Sequence, residues 1–344
     1  MVPRRRRDSS VDGMGKKVPR LRPAARSCGV PGGMLRCAPM SPSSDVVSGM
    51  LAPVPTPFRD GDGRFDPAAL RDNLQRWMET PLSGVLVLGS NGEAPLLDDE
   101  ESDAVVKAAR QAVPEHRWLL VGTGRPSTAA TLRATRRAFD AGADAVLVVT
   151  PSYYRGRMEG EALRRHYLSV AEAGGGPLLL YHAPAFTGVD FPLATALELA
   201  AHPAIKGMKD SSGDLERMKQ LAPGAPAGFS VLVGNAAIAY PALEHGAAGA
   251  VLAVACVAPE ACCRLFEHVR AGRVEQARAL QERLTPLARA VTSEHGIPGL
   301  KAILDHEGWA GGRVRAPLAD LEDTARVQLL ASWRRFQAEE EVQG

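Results

Sequence analysis

The stretch WLLVGTGRPSTAATLRATRRAFDAGADAVLVVTP, residues 118–151, holds two continuous apolar runs separated by an amphipathic segment. The two runs, WLLVGTG (118–124) and AVLVVTP (145–151), are rich in Leu and Val, as is typical of parallel strands buried on both faces. The segment between them begins at Ser127, a good N-cap residue, and ends near Gly142, which is typical of a helix. The stretch therefore predicts a β-strand, an α-helix and a second β-strand.

The same unit recurs along most of the chain, because eight such apolar runs are followed by amphipathic stretches. The runs are MLAPVPT (50–56), GVLVLG (84–89), WLLVGTG (118–124), AVLVVTP (145–151), PLLLYHAP (177–184), AIKGMKD (204–210), FSVLVGN (229–235) and GAVLAVA (249–255). Eight β-then-α units predict an α/β fold, the (β/α)8 TIM barrel. A doubly wound open sheet is the alternative, but neither GSNGE nor GTGRP has the spacing of a dinucleotide-binding loop.

Two further segments flank the predicted barrel, which we place at residues 46–275. Residues 1–45 are rich in Pro, Gly, Ser and Arg without apolar periodicity, so we expect a disordered basic tail. After the last strand the pattern is helical, and its first stretch, residues 258–291, supplies the last barrel helix. We expect residues 276–344 to form a C-terminal helical extension packed on the barrel.

Charge and hydropathy restrict the classes of partner. Residues 1–44 hold ten Lys or Arg against Asp8 and Asp12, whereas the rest of the chain holds 31 basic and 37 acidic residues. The mildly acidic body gives no electrostatic case for nucleic-acid binding. No apolar run approaches the roughly 18 residues of a membrane span. We therefore expect neither a nucleic acid nor a membrane as a partner.

The compartment is predicted from the cysteines and from the tail. Two of the five cysteines lie in the tail, and the other three show neither metal-ligand spacing nor an even disulfide framework, which favours a reducing, cytoplasmic location. A mitochondrial presequence is the alternative, since the tail is rich in Arg, although its prolines would break the helix of such a signal. A third interpretation is an upstream start codon, because Met34, Met40 and Met50 lie around the start of the folded part.

Two lysines occur in the run AIKGMKD (204–210), and their positions distinguish them. Lys206 and Lys209 are three residues apart, so in a strand they point to opposite faces. We predict that Lys206 reaches solvent, whereas Lys209 lies at the strand end where a TIM barrel carries its active site. A desolvated amine there attacks a ketone, and the protonated imine stabilises an adjacent carbanion. The alternative is a structural lysine paired with an acid.

The other strand ends carry hydroxyls, phenols and amides. Tyr181, one strand away from Lys209, is a candidate proton shuttle. No His-x-His or His-x-x-x-His pair follows a strand, so the residues do not predict a metal site. Because an imine itself stabilises the carbanion, we expect no organic cofactor either.

Four motifs at the predicted strand ends resemble a known family. GSNGE (89–93), VTPSYY (149–154), LYHAPAFTG (180–188) and GMKDSSGD (207–214) together resemble the dihydrodipicolinate synthase / N-acetylneuraminate lyase family of pyruvate-dependent class I aldolases. The resemblance covers residues 50–335. Within the family, GSNGE, TPSYYRGRM and GIPGLK look most like 4-hydroxy-2-oxoglutarate aldolase. The resemblance therefore implies cleavage of 4-hydroxy-2-oxoglutarate to pyruvate and glyoxylate.

The resemblance also implies catalytic residues. The Schiff-base lysine of the family falls on Lys209, and its catalytic tyrosine falls on Tyr181. The hydroxyl that relays protons to this tyrosine falls on Ser90. The second relay tyrosine falls on Tyr153, which in the family comes from the neighbouring subunit. The resemblance thus implies a homodimer or a homotetramer.

Substrate-binding positions follow in the same way, and one of them departs from the family pattern. Asn91, together with Ser90, falls where the pyruvate carboxylate binds, Val251 falls where a backbone group lines the site, and Ser211 matches a serine of the aldolase branch. Dihydrodipicolinate synthases carry an arginine for the second carboxylate where this chain has Phe186, and a phenyl ring cannot replace it. The remaining candidates for that carboxylate are Ser211, Ser212, Asn235, Arg155 and Arg157.

Other functions remain as alternatives. Among enzymes, the alternative is another pyruvate-dependent aldolase or dehydratase, either similar to dihydrodipicolinate synthase or specific for a sugar acid. Outside the enzymes, a non-catalytic sensor of 2-oxo acids is disfavoured, because a sensor needs neither an imine nor a proton relay.

Overall fold

The computed structural model of the chain describes residues 46–343, and it confirms the predicted TIM barrel. Eight parallel strands pair in chain order, and the last strand pairs with the first to close the barrel. The predicted disordered tail, residues 1–45, lies outside the described residues. The strands are β1 (Gly49–Pro53), β2 (Gly84–Val87), β3 (Trp118–Gly122), β4 (Ala145–Val149), β5 (Leu178–His182), β6 (Ile205–Asp210), β7 (Ser230–Val233) and β8 (Gly249–Val251).

Helices connect the strands and continue beyond the barrel. No helix within residues 46–343 is both long enough and apolar enough to cross a membrane. The helices are α1 (Pro67–Met78), α2 (Asp99–Ala112), α3 (Thr128–Asp140), α4 (Gly160–Ala173), α5 (Pro184–Thr187), α6 (Leu193–Leu199), α7 (Leu215–Gly224), α8 (Ala239–Glu244), α9 (Pro259–Arg270), α10 (Val274–Arg289), α11 (Gly296–His306) and α12 (Asp323–Gln343).

The helix starts follow from local chemistry. The Asp66 side chain accepts hydrogen bonds from two backbone N–H groups of α1, and the Ser127 side chain accepts one from a backbone N–H of α3. Asp98 forms a reciprocal capping box with Glu101 at the start of α2. Each such cap stabilises a helix by about 1 kcal/mol and so fixes where the loop ends and the helix begins.

The core has two parts, one inside the barrel and one between the barrel and its helices. Inward-facing side chains from seven strands fill the interior, and Tyr181 of β5 and Val251 of β8 belong to this inner cluster. The outer layer contains the alternate strand residues together with the apolar faces of the helices. Alternation along the strands therefore directs successive apolar side chains to the inner cluster and to the outer layer in turn.

The structure corrects two details of the predicted elements. The helical stretch 258–291 is not one helix, because Gly272 adopts a φ of 67° and separates α9 from α10. Glycine adopts this left-handed conformation easily, and a residue in this conformation ends the helical hydrogen-bond pattern. The last apolar run is a strand only over Gly249–Val251, and its second half turns into a 3-10 helix at Ala253–Cys256.

Candidate active site

Lys209 and Tyr181 lie opposite each other on neighbouring strands at the carboxyl end of the barrel. They are register partners in the β5–β6 pair, and each side chain is only 5% exposed. The Lys209 Nζ lies 4.5 Å from the centre of the Tyr181 ring. Lys206, in contrast, is half-buried and is skipped in the register with β5, because β6 carries a bulge at this point. The structure therefore brings the predicted amine and the predicted proton shuttle together.

The Tyr181 hydroxyl lies in a polar environment. Burial raises the pKa of Tyr181, but the positive charge of Lys209 and hydrogen bonds with Ser90, Ser211 and Lys209 outweigh burial. The pKa of Tyr181 is therefore lower than its ordinary value of 10. A phenol with a lowered pKa exchanges protons more readily near neutral pH. The structure thus places Ser90 and Ser211, two predicted site residues, directly on this phenol.

A glycine that the sequence reasoning did not select makes room for the amine. A Cβ on Gly234, just after β7, would stand 2.9 Å from the Lys209 Cε and would collide with the Ser211 hydroxyl. Real Cβ atoms do not approach so closely, and a backbone position without a side chain is what glycine provides. The sequence signal that could have identified Gly234 is its place directly after β7, the strand next to the one that carries Lys209.

The loop after β2 carries Ser90 and Asn91 and has a strained backbone at both ends. Leu88 and Glu93 adopt φ values of 54° and 55°, which are unfavourable for residues other than glycine. Such strain clusters at functional sites, where the surrounding structure holds it in place. The Asn91 side chain donates a hydrogen bond to the Pro53 carbonyl, 3.2 Å away, at the end of β1.

The remaining predicted residues occupy different positions. Val251 is buried in the inner cluster that contains Tyr181. Tyr153 is 79% exposed, and its ring packs edge-on against the ring of Tyr154 at a centroid distance of 5.0 Å. Phe186 is also exposed, at 72%. Within residues 46–343 no hydrogen bond or ring contact joins Tyr153 to Tyr181, so one chain does not bring the second tyrosine into the site.

A buried polar network lies behind the site, and the sequence reasoning missed it. Asp210, the residue after the lysine, contacts the His182 Nδ1 at 3.0 Å and the Arg217 Nε at 2.7 Å. It also accepts hydrogen bonds from the backbone N–H and the hydroxyl of Ser212. Burial raises the pKa of Asp210, but the hydrogen bonds from His182 and Ser212 outweigh it and lower the pKa to about 2. His182 is therefore part of a network that anchors β6.

This network predicts how stability depends on pH. The pKa of Asp210 is lower in the folded than in the unfolded chain, so its contribution is complete above pH 4 and is lost as pH falls towards 2. Asp210→Asn should cost about 3 kcal/mol at pH 6, because it removes one partner of a buried ion pair. At pH 3 the difference in unfolding free energy between wild type and Asp210→Asn should shrink by about 1 kcal/mol. Urea unfolding of both proteins at the two pH values measures this difference.

The control for this prediction is Asp140→Asn, at an exposed position at the end of α3. It should change the free energy of unfolding little at either pH. A difference between wild type and Asp210→Asn that stays constant from pH 6 to pH 3 would contradict the account.

Metal ligation has no support in the described part of the chain. Residues 46–343 contain no group of three or more His, Cys, Asp or Glu side chains placed to hold a metal ion. The functional groups assembled around Tyr181 are an amine and hydroxyls, which suit covalent and proton-transfer chemistry. The expected independence from a metal or cofactor stays a prediction.

Comparisons with known proteins identify relatives of this chain. A model of the dihydrodipicolinate synthetase family matches residues 46–334. A 4-hydroxy-tetrahydrodipicolinate synthase of Syntrophus aciditrophicus is 35% identical over 284 residues, which cover 83% of this chain and 96% of that protein. An uncharacterized DapA-like lyase of Halobacterium salinarum is 37% identical over 296 residues, which cover 86% of this chain and 96% of that protein.

Solved structures show the same architecture. The chloride-inhibited dihydrodipicolinate synthase of Acinetobacter baumannii, complexed with pyruvate, matches with a TM-score of 0.81 and 30% identity, covering 85% of this chain and 99% of that chain. A monomeric dihydrodipicolinate synthase variant matches with a TM-score of 0.80 and 26% identity, covering 87% of this chain and 98% of that chain. None of these four proteins is named for 4-hydroxy-2-oxoglutarate.

Proposed function

The chain belongs to the dihydrodipicolinate synthetase family, and on this premise we propose that it is a lyase that forms an imine between Lys209 and a 2-oxo acid. We propose that its reaction is the cleavage of 4-hydroxy-2-oxoglutarate to pyruvate and glyoxylate. One observation carries the mechanism: a buried amine lies against the ring of Tyr181, whose hydroxyl is bonded to Ser90 and Ser211. The motif resemblance supports the choice of substrate, and Phe186, which stands where the synthases carry an arginine, argues against aspartate semialdehyde as the second substrate.

Imine formation is the first proposed step. The neutral Lys209 amine attacks the C2 carbonyl of the substrate, and loss of water gives a protonated imine. Ser90 and Asn91, on the strained loop, bind the C1 carboxylate and so align the carbonyl with the amine. Val251 of β8 belongs to the same inner cluster of side chains as Tyr181. Burial keeps water from competing for the carbonyl and strengthens each electrostatic contact.

Carbon–carbon cleavage is the second proposed step. The Tyr181 phenolate takes the proton of the C4 hydroxyl, the C3–C4 bond breaks, and its electrons pass into the imine. Glyoxylate leaves, and the remaining enamine takes a proton at C3 to give the pyruvate imine, which water hydrolyses to pyruvate and free Lys209. The lowered pKa of Tyr181 favours this role, and Ser90 and Ser211 supply the hydrogen bonds that stabilise the phenolate.

A homo-oligomer belongs to the same proposal. Tyr153, Tyr154 and Phe186 expose large aromatic surfaces, at 79%, 71% and 72%. Exposed aromatic side chains of this size are enriched in protein interfaces. We propose that a second copy of the chain covers them in a homodimer or a homotetramer, with Tyr153 completing the relay of the neighbouring site. One of the structural matches is a dihydrodipicolinate synthase variant described as monomeric, so a homo-oligomer does not follow from the family alone.

We propose that a cation binds the second carboxylate of the substrate, and we choose Arg155 from the candidates. Its Cδ and Nη1 lie 3.4 Å from the point where a Cβ on Gly188 would stand, so its side chain lies against the end of α5. Within residues 46–343 its guanidinium has no ion pair or hydrogen bond. Ser212 is already bonded to Asp210. We propose that Arg155 binds the C5 carboxylate with two parallel hydrogen bonds.

Cleavage rates on a panel of 2-oxo acids test this assignment. We expect the highest kcat/KM for 4-hydroxy-2-oxoglutarate and at least a tenfold lower value for an analogue without the second carboxylate, since a charge-assisted pair contributes about 1.5–3 kcal/mol. Arg155→Leu should lower kcat/KM for the dicarboxylate about tenfold and leave the analogue unaffected. Arg157→Leu is the matched control, because it removes an exposed arginine of the same turn.

The panel also decides between the proposed reaction and its rivals. The names of the relatives favour 4-hydroxy-tetrahydrodipicolinate synthesis as a second candidate. Condensation of pyruvate with aspartate semialdehyde faster than any cleavage would establish that function instead, and preference for a sugar acid would establish a third. Equal effects of the Arg155 and Arg157 variants would contradict the role of Arg155.

The proposed location is cytoplasmic. The three cysteines of the described residues, Cys256, Cys262 and Cys263, are free and buried, as is common for thiols of a reducing compartment. The alternative, a mitochondrial presequence, concerns residues 1–45, which lie outside the described residues.

A further inference from the structure

A buried ion pair connects the C-terminal extension to the loop that carries Ser90 and Asn91. The Lys301 Nζ of α11 lies 2.6 Å from the Glu93 Oε1, and the two side chains are 1% and 0% exposed. The same Nζ donates a hydrogen bond to the Arg313 carbonyl at 2.8 Å. Burial lowers the pKa of Lys301, and the Glu93 carboxylate opposes this effect. The proposed chemistry uses neither of these two buried charges.

A short segment after α11, residues 313–315, forms the second part of this connection, and we name it the strap. The Arg315 backbone N–H donates to the Glu93 Oε2 at 2.8 Å. The Arg315 guanidinium binds both carboxylate oxygens of Glu101 at 2.6 and 2.8 Å. The cationic groups of Lys301 and Arg315 also lie over the ring of Phe58. Both oxygens of the Glu93 carboxylate therefore bind groups from the C-terminal extension.

The backbone conformation of Glu93 is unfavourable, so contacts from the surrounding structure must maintain it. Its φ of 55° is left-handed, a conformation that a non-glycine residue keeps only when its surroundings impose it. Glu93 follows Ser90, Asn91 and Gly92 directly, so a relaxation of its backbone would move the loop. The Gly92 carbonyl is fixed on the other side by the Thr56 hydroxyl at 2.7 Å.

We propose that Lys301 and the strap are positioning groups that hold Glu93 left-handed and thereby place Ser90 and Asn91 for capture of the substrate carboxylate. This inference rests on the proposed function of the site. It gives the C-terminal extension a role in substrate binding, although none of its residues touches the substrate. A displacement of about 1 Å in a binding loop is enough to lower productive binding tenfold or more.

The test must separate positioning from stability. Lys301→Met leaves a buried unpaired carboxylate and should destabilise the fold whatever its role. The double variant Glu93→Gln/Lys301→Met removes both charges and keeps an acceptor for the Arg315 N–H, so it should recover most of the lost thermal stability. It should still require about tenfold more pyruvate for half-maximal borohydride trapping, with an unchanged limiting rate. Glu93→Gln alone, which is isosteric, should also raise the half-saturating pyruvate concentration.

Arg110→Met provides the control for stability. It breaks the half-buried pair with Asp144, at 3.2 Å, which links α2 to the turn before β4 at the opposite end of the barrel. It should lower the melting temperature and leave the half-saturating pyruvate concentration unchanged.

The outcomes separate this inference from the proposed function. Wild-type half-saturation in the stable double variant and in Glu93→Gln would overturn the positioning role. Trapping by pyruvate without cleavage of 4-hydroxy-2-oxoglutarate would overturn only the substrate assignment. An absence of trapping in the unaltered protein would overturn both.

Discussion

Lys209→Met is expected to lower kcat about ten-thousandfold or more for cleavage of the preferred 2-oxo acid, as for the loss of a covalent nucleophile in other enzymes. Methionine keeps most of the volume of the lysine side chain and removes only its amine. The side chain is buried against Tyr181, so an apolar replacement of similar size should preserve packing. Steady-state kinetics measure the loss, and circular dichroism shows that the variant is folded.

Lys206→Met is the matched control, because it makes the same change three residues earlier on the same strand. Lys206 is half-buried and lies at the bulge of β6. Its kcat should stay within about twofold of the wild-type value, as expected for a side chain outside the site. Equal losses in the two variants would show that the strand, and not the Lys209 amine, is required.

Tyr181→Phe is expected to lower kcat about a hundredfold to a thousandfold, which is the usual contribution of a positioned acid or base. The ring that packs beside Lys209 remains, and only the hydroxyl bonded to Ser90 and Ser211 is lost. Imine formation with pyruvate should therefore fall much less than turnover does. Single-turnover borohydride trapping and steady-state cleavage measure the two effects separately.

Tyr167→Phe is the control for the loss of a buried phenol. Tyr167 is fully buried between the barrel and its helices, donates a hydrogen bond to the Val148 carbonyl at 3.0 Å and accepts one from the Tyr181 backbone N–H. Loss of its hydroxyl should cost about 1 kcal/mol of stability and should lower kcat far less than Tyr181→Phe does, because the Tyr181 hydroxyl remains. If Tyr181→Phe reduced trapping and turnover by the same factor, Tyr181 would be a packing residue.

The barrel and the central pair were predictable because both depend on local pattern. Continuous apolar runs mark strands buried on both faces, and strand ends mark the active-site end of a barrel. Alternation along β6 separated Lys206 from Lys209, although it did not indicate the bulge that removes Lys206 from the β5 register. The position of Tyr181 followed from the same rule on the neighbouring strand.

The supporting network was not predictable, since it depends on contacts between distant parts of the chain. Arg315 binds Glu93 across 222 residues, and no local periodicity relates the two positions. Asp210 and its partners His182 and Arg217 come from three different elements. The break at Gly272 was missed for a different reason, because the helical pattern continues across it and only the backbone conformation reveals the turn.

Reductive trapping tests the central claim most directly. The full chain is incubated with pyruvate and sodium borohydride, digested and analysed by mass spectrometry. The account predicts one reduced pyruvate adduct, located on Lys209 and absent from the Lys209→Met variant, whereas Lys206→Met should be labelled like the wild type. An unlabelled wild-type protein, or an adduct that persists in Lys209→Met, would contradict it.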